Sequence, residues 1–252
     1  MRRGSTRIAP GDREIGAGRG KLWTRALEAW DDRLDMAAAR RAVEGFKEIA
    51  ATDDRPEAWA WCARAHFFVG DYQPHANERS RWHVAGYRLG RRGIALDVSH
   101  VAACFWTAVC LGSYIEHVNL LKAALYVPET VRCLTRVYNA DMEYYHGGLA
   151  RYLGQALVRQ PVLTQKFLAI AMPDVTADIV IAGLRKAIDE APPIVLNVQT
   201  LGEVAFHVHK DRDTVREMLA LLRVLDLDAD ANLAPENHLD LPRAQQRLSA
   251  LL

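Results

Sequence analysis

Tyr144, Tyr145 and His146 stand directly before a Gly147–Gly148 pair in the stretch EYYHGGLARYLGQAL, residues 143–157. A tyrosine next to a histidine offers the two side chains of a proton-transfer site. The same stretch also reads as a joint between helices, where glycine permits a turn that a β-carbon would hinder. No nucleophile elbow or supported pair of carboxylates accompanies it, so an enzyme using Tyr145 and His146 is kept only as a remote alternative. Glu203 and His207 share one helix face at i, i+4. A metal centre needs a third ligand, and His209 lies about 200° round the helix from His207. That pair is expected at a surface or an interface. GAGRGKL (16–22) has Ile15 where a phosphate loop needs its first glycine and Leu22 where it needs Ser or Thr. Glu116-His117 falls where a helix ends, and the helix dipole favours a histidine there. His66, Phe67 and Phe68 are expected to fill core. Cys62, Cys104, Cys110 and Cys133 fit no zinc spacing, and Cys104 and Cys110 cannot bridge on one helix. They read as small buried hydrophobes. No catalytic residue, metal or cofactor is expected.

The elements that must position these residues are helical. The chain has 252 residues, 50% hydrophobic and 25% charged, which suits a globular domain or a repeat array. A net charge of +1 gives no electrostatic case for nucleic acid. No stretch approaches the roughly 20 apolar residues of a membrane span. Residues 1–20 form a basic, Gly-containing arm, expected to be disordered, with Arg2, Arg3, Arg7, Arg13 and Arg19. As the sequence stands, no signal peptide or lipobox is visible, so a cytoplasmic location is expected. A trimmed or misassigned leader would make it periplasmic.

Apolar residues recur with helical spacing at Leu22-Ala26-Leu27-Trp30-Leu34 and Ala42-Val43-Phe46-Ile49-Ala50. Breakers stand at Pro56, Gly70-Asp71, Pro128, Gly147-Gly148, Pro161, Pro173, Pro192-Pro193 and Pro235. Aligned segments place a small residue at Ala63, Ala108, Gly154 and Gly202, at intervals of 45, 46 and 48. Leu153-Gly154 and Leu201-Gly202 resemble the close-packing pair of a tetratricopeptide helix A. Ala42 and Phe46, and Val180, Leu184 and Ala187, have helix B spacing. The expected fold is all-α, a right-handed superhelical array of antiparallel helix pairs. It is expected as one domain over 21–252, in units of roughly 21–55, 56–98, 99–142, 143–193 and 194–252.

A standard repeat of this kind has about 34 residues, so each unit carries about a dozen extra. The excess is read as insertions between helices A and B at 73–82, 115–128 and 158–174. Two of these are strongly apolar. They must pack within the chain, against another subunit or round a ligand. Leu120, Leu121, Leu125, Val162, Leu163, Phe167, Leu168 and Ile170 are therefore candidate interface residues. Trp106, Tyr114, Asn119, Tyr126, Tyr144, Tyr145, His146 and Arg151 are candidate groove residues.

CFWTAVCLGSYIE (104–116), the helix through Val127-Pro128, ADMEYYHGGLARYLG (140–154) and PENHLDLPRAQQRLSALL (235–252) occur in this order. Together they resemble the TatT family, the T component associated with tripartite ATP-independent periplasmic (TRAP) transporters. The likeness covers residues 56–252. It implies degenerate tetratricopeptide-like pairs, a homotrimer with apolar cavities and a periplasmic solute-binding protein as partner. The implied role is a non-enzymatic scaffold for a protein partner or a small apolar ligand. Family members typically carry an export signal or lipid anchor, and this sequence begins instead with a basic arm. The alternative is a cytoplasmic protein-interaction adaptor unrelated to transport.

Overall fold

The computed structural model describes residues 20–252, so the basic arm and most of GAGRGKL lie outside the described residues. Among the described residues there are twelve α-helices and no strand, as the periodicity requires. The chain divides into two compact units, one ending at Ala140 and one beginning at Asp141.

The first unit holds α1 (Gly20–Asp31), α2 (Met36–Thr52), α3 (Pro56–Asp71), α4 (Ala76–Leu96), α5 (Val101–Ile115) and α6 (Leu120–Ala140). Each helix packs on the next, and α3 also packs on α5. That skip contact stacks one helix A on the following helix A, which is how a repeat array closes its core. Local chemistry starts these helices. Asp35 accepts from the Ala37 N–H before α2, Pro56 opens α3, and the His100 ring accepts from the Ala103 N–H before α5. The core is aromatic: Phe46 stacks on Trp61 at 4.9 Å, and Trp30 meets Trp61 and Phe68 edge-on. Arg33, fully buried, lies 4.5 Å over the Trp30 ring and donates to the Trp30 carbonyl. Burying a side chain the size of Phe46 is worth about 2–3 kcal/mol. His66 and Phe68 are buried in this core and Phe67 is half-buried at its edge. All four cysteines are free and buried, and Cys110 Sγ donates to the Ala63 carbonyl at 3.3 Å.

The second unit holds α7 (Tyr144–Arg159), α8 (Pro161–Ala171), α9 (Ala177–Glu190), α10 (Val195–His209), α11 (Arg212–Val224) and α12 (Ala234–Ser249). Here α7 packs on α9, α10 on α11, and α10 also on α7 and α12. The Thr176 hydroxyl caps α9, and the Asp211 carboxylate accepts two N–H groups at the start of α11. Val180, Leu184 and Ala187 form the buried face of α9.

The extra length is mostly helix rather than loop. Residues 76–82 form the first turns of α4, and 120–128 the first turns of α6; only 158–174 contains a separate short helix, α8. Pro128 is therefore no breaker. It sits inside α6, on an exposed face, and the carbonyl left without its N–H belongs to exposed Ala124, where water can satisfy it.

The small positions are points of close approach. Gly90 on α4 packs on α5 and α3, where an added Cβ would collide with Thr107 Oγ1 and press on Ala63 Cβ at 3.3 Å. Gly90→Ala will cost the first unit about 2 kcal/mol by chemical denaturation. An unchanged midpoint would mean that α4 can shift outward freely.

Candidate functional site

Among the described residues, the stretch 143–157 holds the longest run of positive-φ backbone. Tyr145 (φ 54°, ψ 47°), His146 (φ 52°, ψ 56°) and Gly147 (φ 79°, ψ 23°) form one left-handed turn before right-handed α7 continues. Glycine tolerates this region, whereas each non-glycine residue in it costs about 1–2 kcal/mol. Only Gly147 of the glycine pair uses its conformational freedom, since Gly148 has no positive φ. A Cβ on Gly147 would also lie 2.6 Å from the Ala187 Cβ, so α9 closes on the turn from outside.

Asn197 on α10 holds the turn. Its Nδ2 donates to the His146 carbonyl at 2.9 Å, and its Oδ1 accepts from Arg151 NH1 at 2.6 Å. A single amide orientation serves both bonds. Arg151 lies one turn into the right-handed part of α7, where a helical side chain leans back towards the N-terminus. Its guanidinium carbon sits 5.3 Å over the Tyr145 ring. The residue is 7% exposed. Burial lowers its pKa, while Tyr145, Asp240 and Glu236 act in the opposite direction. Asp240 and Asn237 of α12 are buried close by in sequence, and Asn237 bonds the Val195 N–H and the Pro193 carbonyl at the start of α10.

Tyr144, Tyr145, His146 and Arg151 thus gather in the second unit, with neighbouring rings 6.3–6.4 Å apart. The other groove candidates lie in the first unit. Tyr126 meets Tyr114 edge-on at 5.6 Å and Tyr87 at 5.8 Å. The Tyr87 hydroxyl donates to Glu129 at 2.6 Å, and Arg91 pairs with the same carboxylate at 3.1 Å. Burial, then that carboxylate, pushes the Tyr87 pKa up. Trp106 is apart from this trio, against Phe67 and 5.4 Å from the Arg64 guanidinium carbon. Asn119 serves as a helix cap, its Oδ1 accepting from the Lys122 N–H at 2.9 Å.

Among the interface candidates, Leu121 is 84%, Leu125 78% and Ile170 85% exposed, whereas Leu168 is buried. The side chains of Leu120, Val162, Leu163 and Phe167 lie outside those described. Glu203 is not at a surface. It is buried, accepts from Gln199 and pairs with Arg247 of α12 at 2.6 Å, while His207 is exposed. A single helix face could not reveal α12 as the partner.

His83 was also missed. It is 1% exposed, stacked between Phe67 at 5.7 Å and His117 at 6.2 Å, and no hydrogen bond of ordinary geometry reaches either ring nitrogen, the Ser113 backbone lying nearest as a weak partner. Gly70 makes the room, because a Cβ there would lie 2.7 Å from the imidazole. Burial, with His117 and Arg79 nearby, lowers the His83 pKa to about 4, against the Ser113 backbone, which raises it. His117 follows α5, as the spacing suggested, but its ring faces His83 rather than capping the helix alone.

Among the described residues no group of three or more His, Cys, Asp or Glu side chains is placed to hold a metal ion. No described helix is long and apolar enough to cross a membrane. No protein-family model matches the chain, and no curated protein sequence is similar to it.

Proposed function

We propose that the protein is a non-enzymatic helical-repeat scaffold that assembles with a second copy of itself through the outer face of α6. The supporting observation is one stripe. Leu121, Ala124, Leu125 and Pro128 are spaced i, i+3, i+4 and i+7 and are all exposed. Two leucines 84% and 78% exposed on adjacent turns are costly in water, and a partner helix would cover them. The inner face of the same turns is committed to the Tyr87–Tyr114–Tyr126 cluster, so the stripe cannot roll inward. Resemblance to the TatT family points the same way, towards a homo-oligomer beside a solute-binding protein, with a cytoplasmic adaptor as the alternative.

Light scattering after gel filtration tests this reading. The wild-type chain should elute as an oligomer at micromolar concentration. Leu121→Glu with Leu125→Glu should give a monomer with unchanged helical circular dichroism, because neither leucine contributes to the fold. A monomeric wild type would sink the proposal.

A further inference from the structure

We propose that Cys104 and Cys133 form a dithiol site that hydrogen peroxide oxidises to a disulfide joining α5 and α6, a role separate from assembly through α6. The placement follows from the helical hairpin. α5 and α6 pack on each other and are joined by the short connection 116–119, which makes them antiparallel neighbours. Cys104 and Cys133 lie at nearly equal distances on either side of that connection, so they stand at one level of the pair. Both face inward, Cys104 at 0% and Cys133 at 2% exposure. Their side chains hydrogen-bond to each other. Closing the bridge therefore asks two sulfurs already in contact to approach to about 2 Å by side-chain rotation.

The two thiols have different parts. Cys133 donates its S–H to Cys104, which lowers the Cys104 pKa against the effect of burial. Arg136, one turn further along α6, also donates to Cys104 and adds its positive charge, while Asp97 opposes it. The same thiol–thiol bond, then burial, raises the Cys133 pKa. Cys104 is thus the nucleophilic thiolate and Cys133 the thiol that completes the bridge. The other cysteines are inert by the same measure: burial raises Cys110, and burial, against Lys47, pushes Cys62 up to about 12.

Depth selects the oxidant. Cys104 Sγ lies 3.6 Å from the carbonyl of Val98, a 55% exposed residue between α4 and α5, and Arg136 is half-buried. A site just beneath the surface suits an oxidant close to water in size and excludes a bulky disulfide. The Cys104 thiolate attacks one peroxide oxygen, the O–O bond breaks, and the departing hydroxide takes up a proton to leave as water. Cys133 sulfur then attacks the sulfenic sulfur of Cys104. The S–S bond forms, the S–O bond breaks, and the hydroxyl leaves as a second water with the Cys133 proton. Peroxide gains the two electrons that the thiols lose.

The test treats the full chain with hydrogen peroxide, alkylates it under denaturing conditions and maps its peptides by mass spectrometry. Two of the four thiols should be lost, and Cys62 and Cys110 should remain open to alkylation. The linked Cys104–Cys133 peptides should be about 2 Da lighter than their reduced parts and be separated by dithiothreitol. In Cys133→Ala the same treatment should add oxygen at Cys104 instead, since no second thiol resolves the sulfenic acid. Arg136→Met should slow bridging about threefold or more, and Arg136→Lys, which keeps the charge, should restore it. The wild-type map gives a result even if a variant fails to fold. Four surviving thiols, oxidation of Cys62 or Cys110 at the same rate, a bridge between two chains, or equally fast bridging by oxidised glutathione would overturn the proposal.

Discussion

Replacing Asn197 by alanine will destabilise the second unit by about 3 kcal/mol in chemical denaturation. Asn197 is 1% exposed, and its amide does two jobs that no other described side chain shares. Alanine removes the hydrogen-bond acceptor of a buried guanidinium, and an unmet donor on a buried charged group is costly even with Asp240 and Glu236 acting on it. It also removes the donor that fixes the His146 carbonyl in a left-handed turn. Two controls separate these effects. Asn197→Asp keeps an acceptor for Arg151 but places a carboxylate against the His146 carbonyl, so the loss should be smaller, about 1–2 kcal/mol. Asn197→Ala combined with Arg151→Met should cost less than the sum of the single changes, since methionine leaves no charge to strand. Strict additivity would show that the two side chains are energetically independent and that the turn does not depend on their contact.

Acid should weaken the first unit well before its carboxylates protonate fully. His83 is neutral in the folded chain, with its pKa lowered from 6.5 to about 4 by burial and by the neighbouring His117 and Arg79. Between those values the unfolded chain takes up a proton that the folded chain refuses, so stability falls as pH drops below 6.5. The loss levels off near pH 4, where both states are protonated. It reaches about 3 kcal/mol at most. His117, whose pKa is lowered chiefly by burial and then by Arg79, against Asp71, adds to the fall in the same direction. His83→Leu removes two buried nitrogens that lack a hydrogen bond of ordinary geometry. It should leave stability at pH 7.5 equal or higher and flatten the slope between pH 6.5 and 4. An equally steep slope in that variant would place the acid sensitivity elsewhere.

Much of the fold was legible because helical burial repeats within a few residues. Ala42, Phe46, Val180, Leu184 and Ala187 all occupy buried helix faces, and Gly154 and Gly202 lie at close helix contacts. The extra length of the units was misread as inter-helix insertion, because 73–82 and 115–128 contain a proline or polar residues at their edges. Pro128 inside α6 shows the limit of that cue, since a proline on a solvent face breaks one bond and not the helix.

The candidate site was legible only in part. Tyr145, His146 and Arg151 stood out as residue types near a glycine pair, but Asn197 lies 46 residues beyond Arg151 and carries no local signature. Glu203 shows the same thing: its i+4 neighbour is His207, yet its partner is Arg247.

By itself the sequence determined that the chain folds as packed helices and which faces of α2 and α9 are buried, because these follow from spacing along one chain. Only the tertiary structure decided which face of α6 stays exposed, that Tyr145 and His146 turn left-handed, and that Asn197 joins the turn to Arg151. Those outcomes depend on atoms brought together from distant helices, where local propensity favours the opposite conformation and packing against α9 and α10 overrides it.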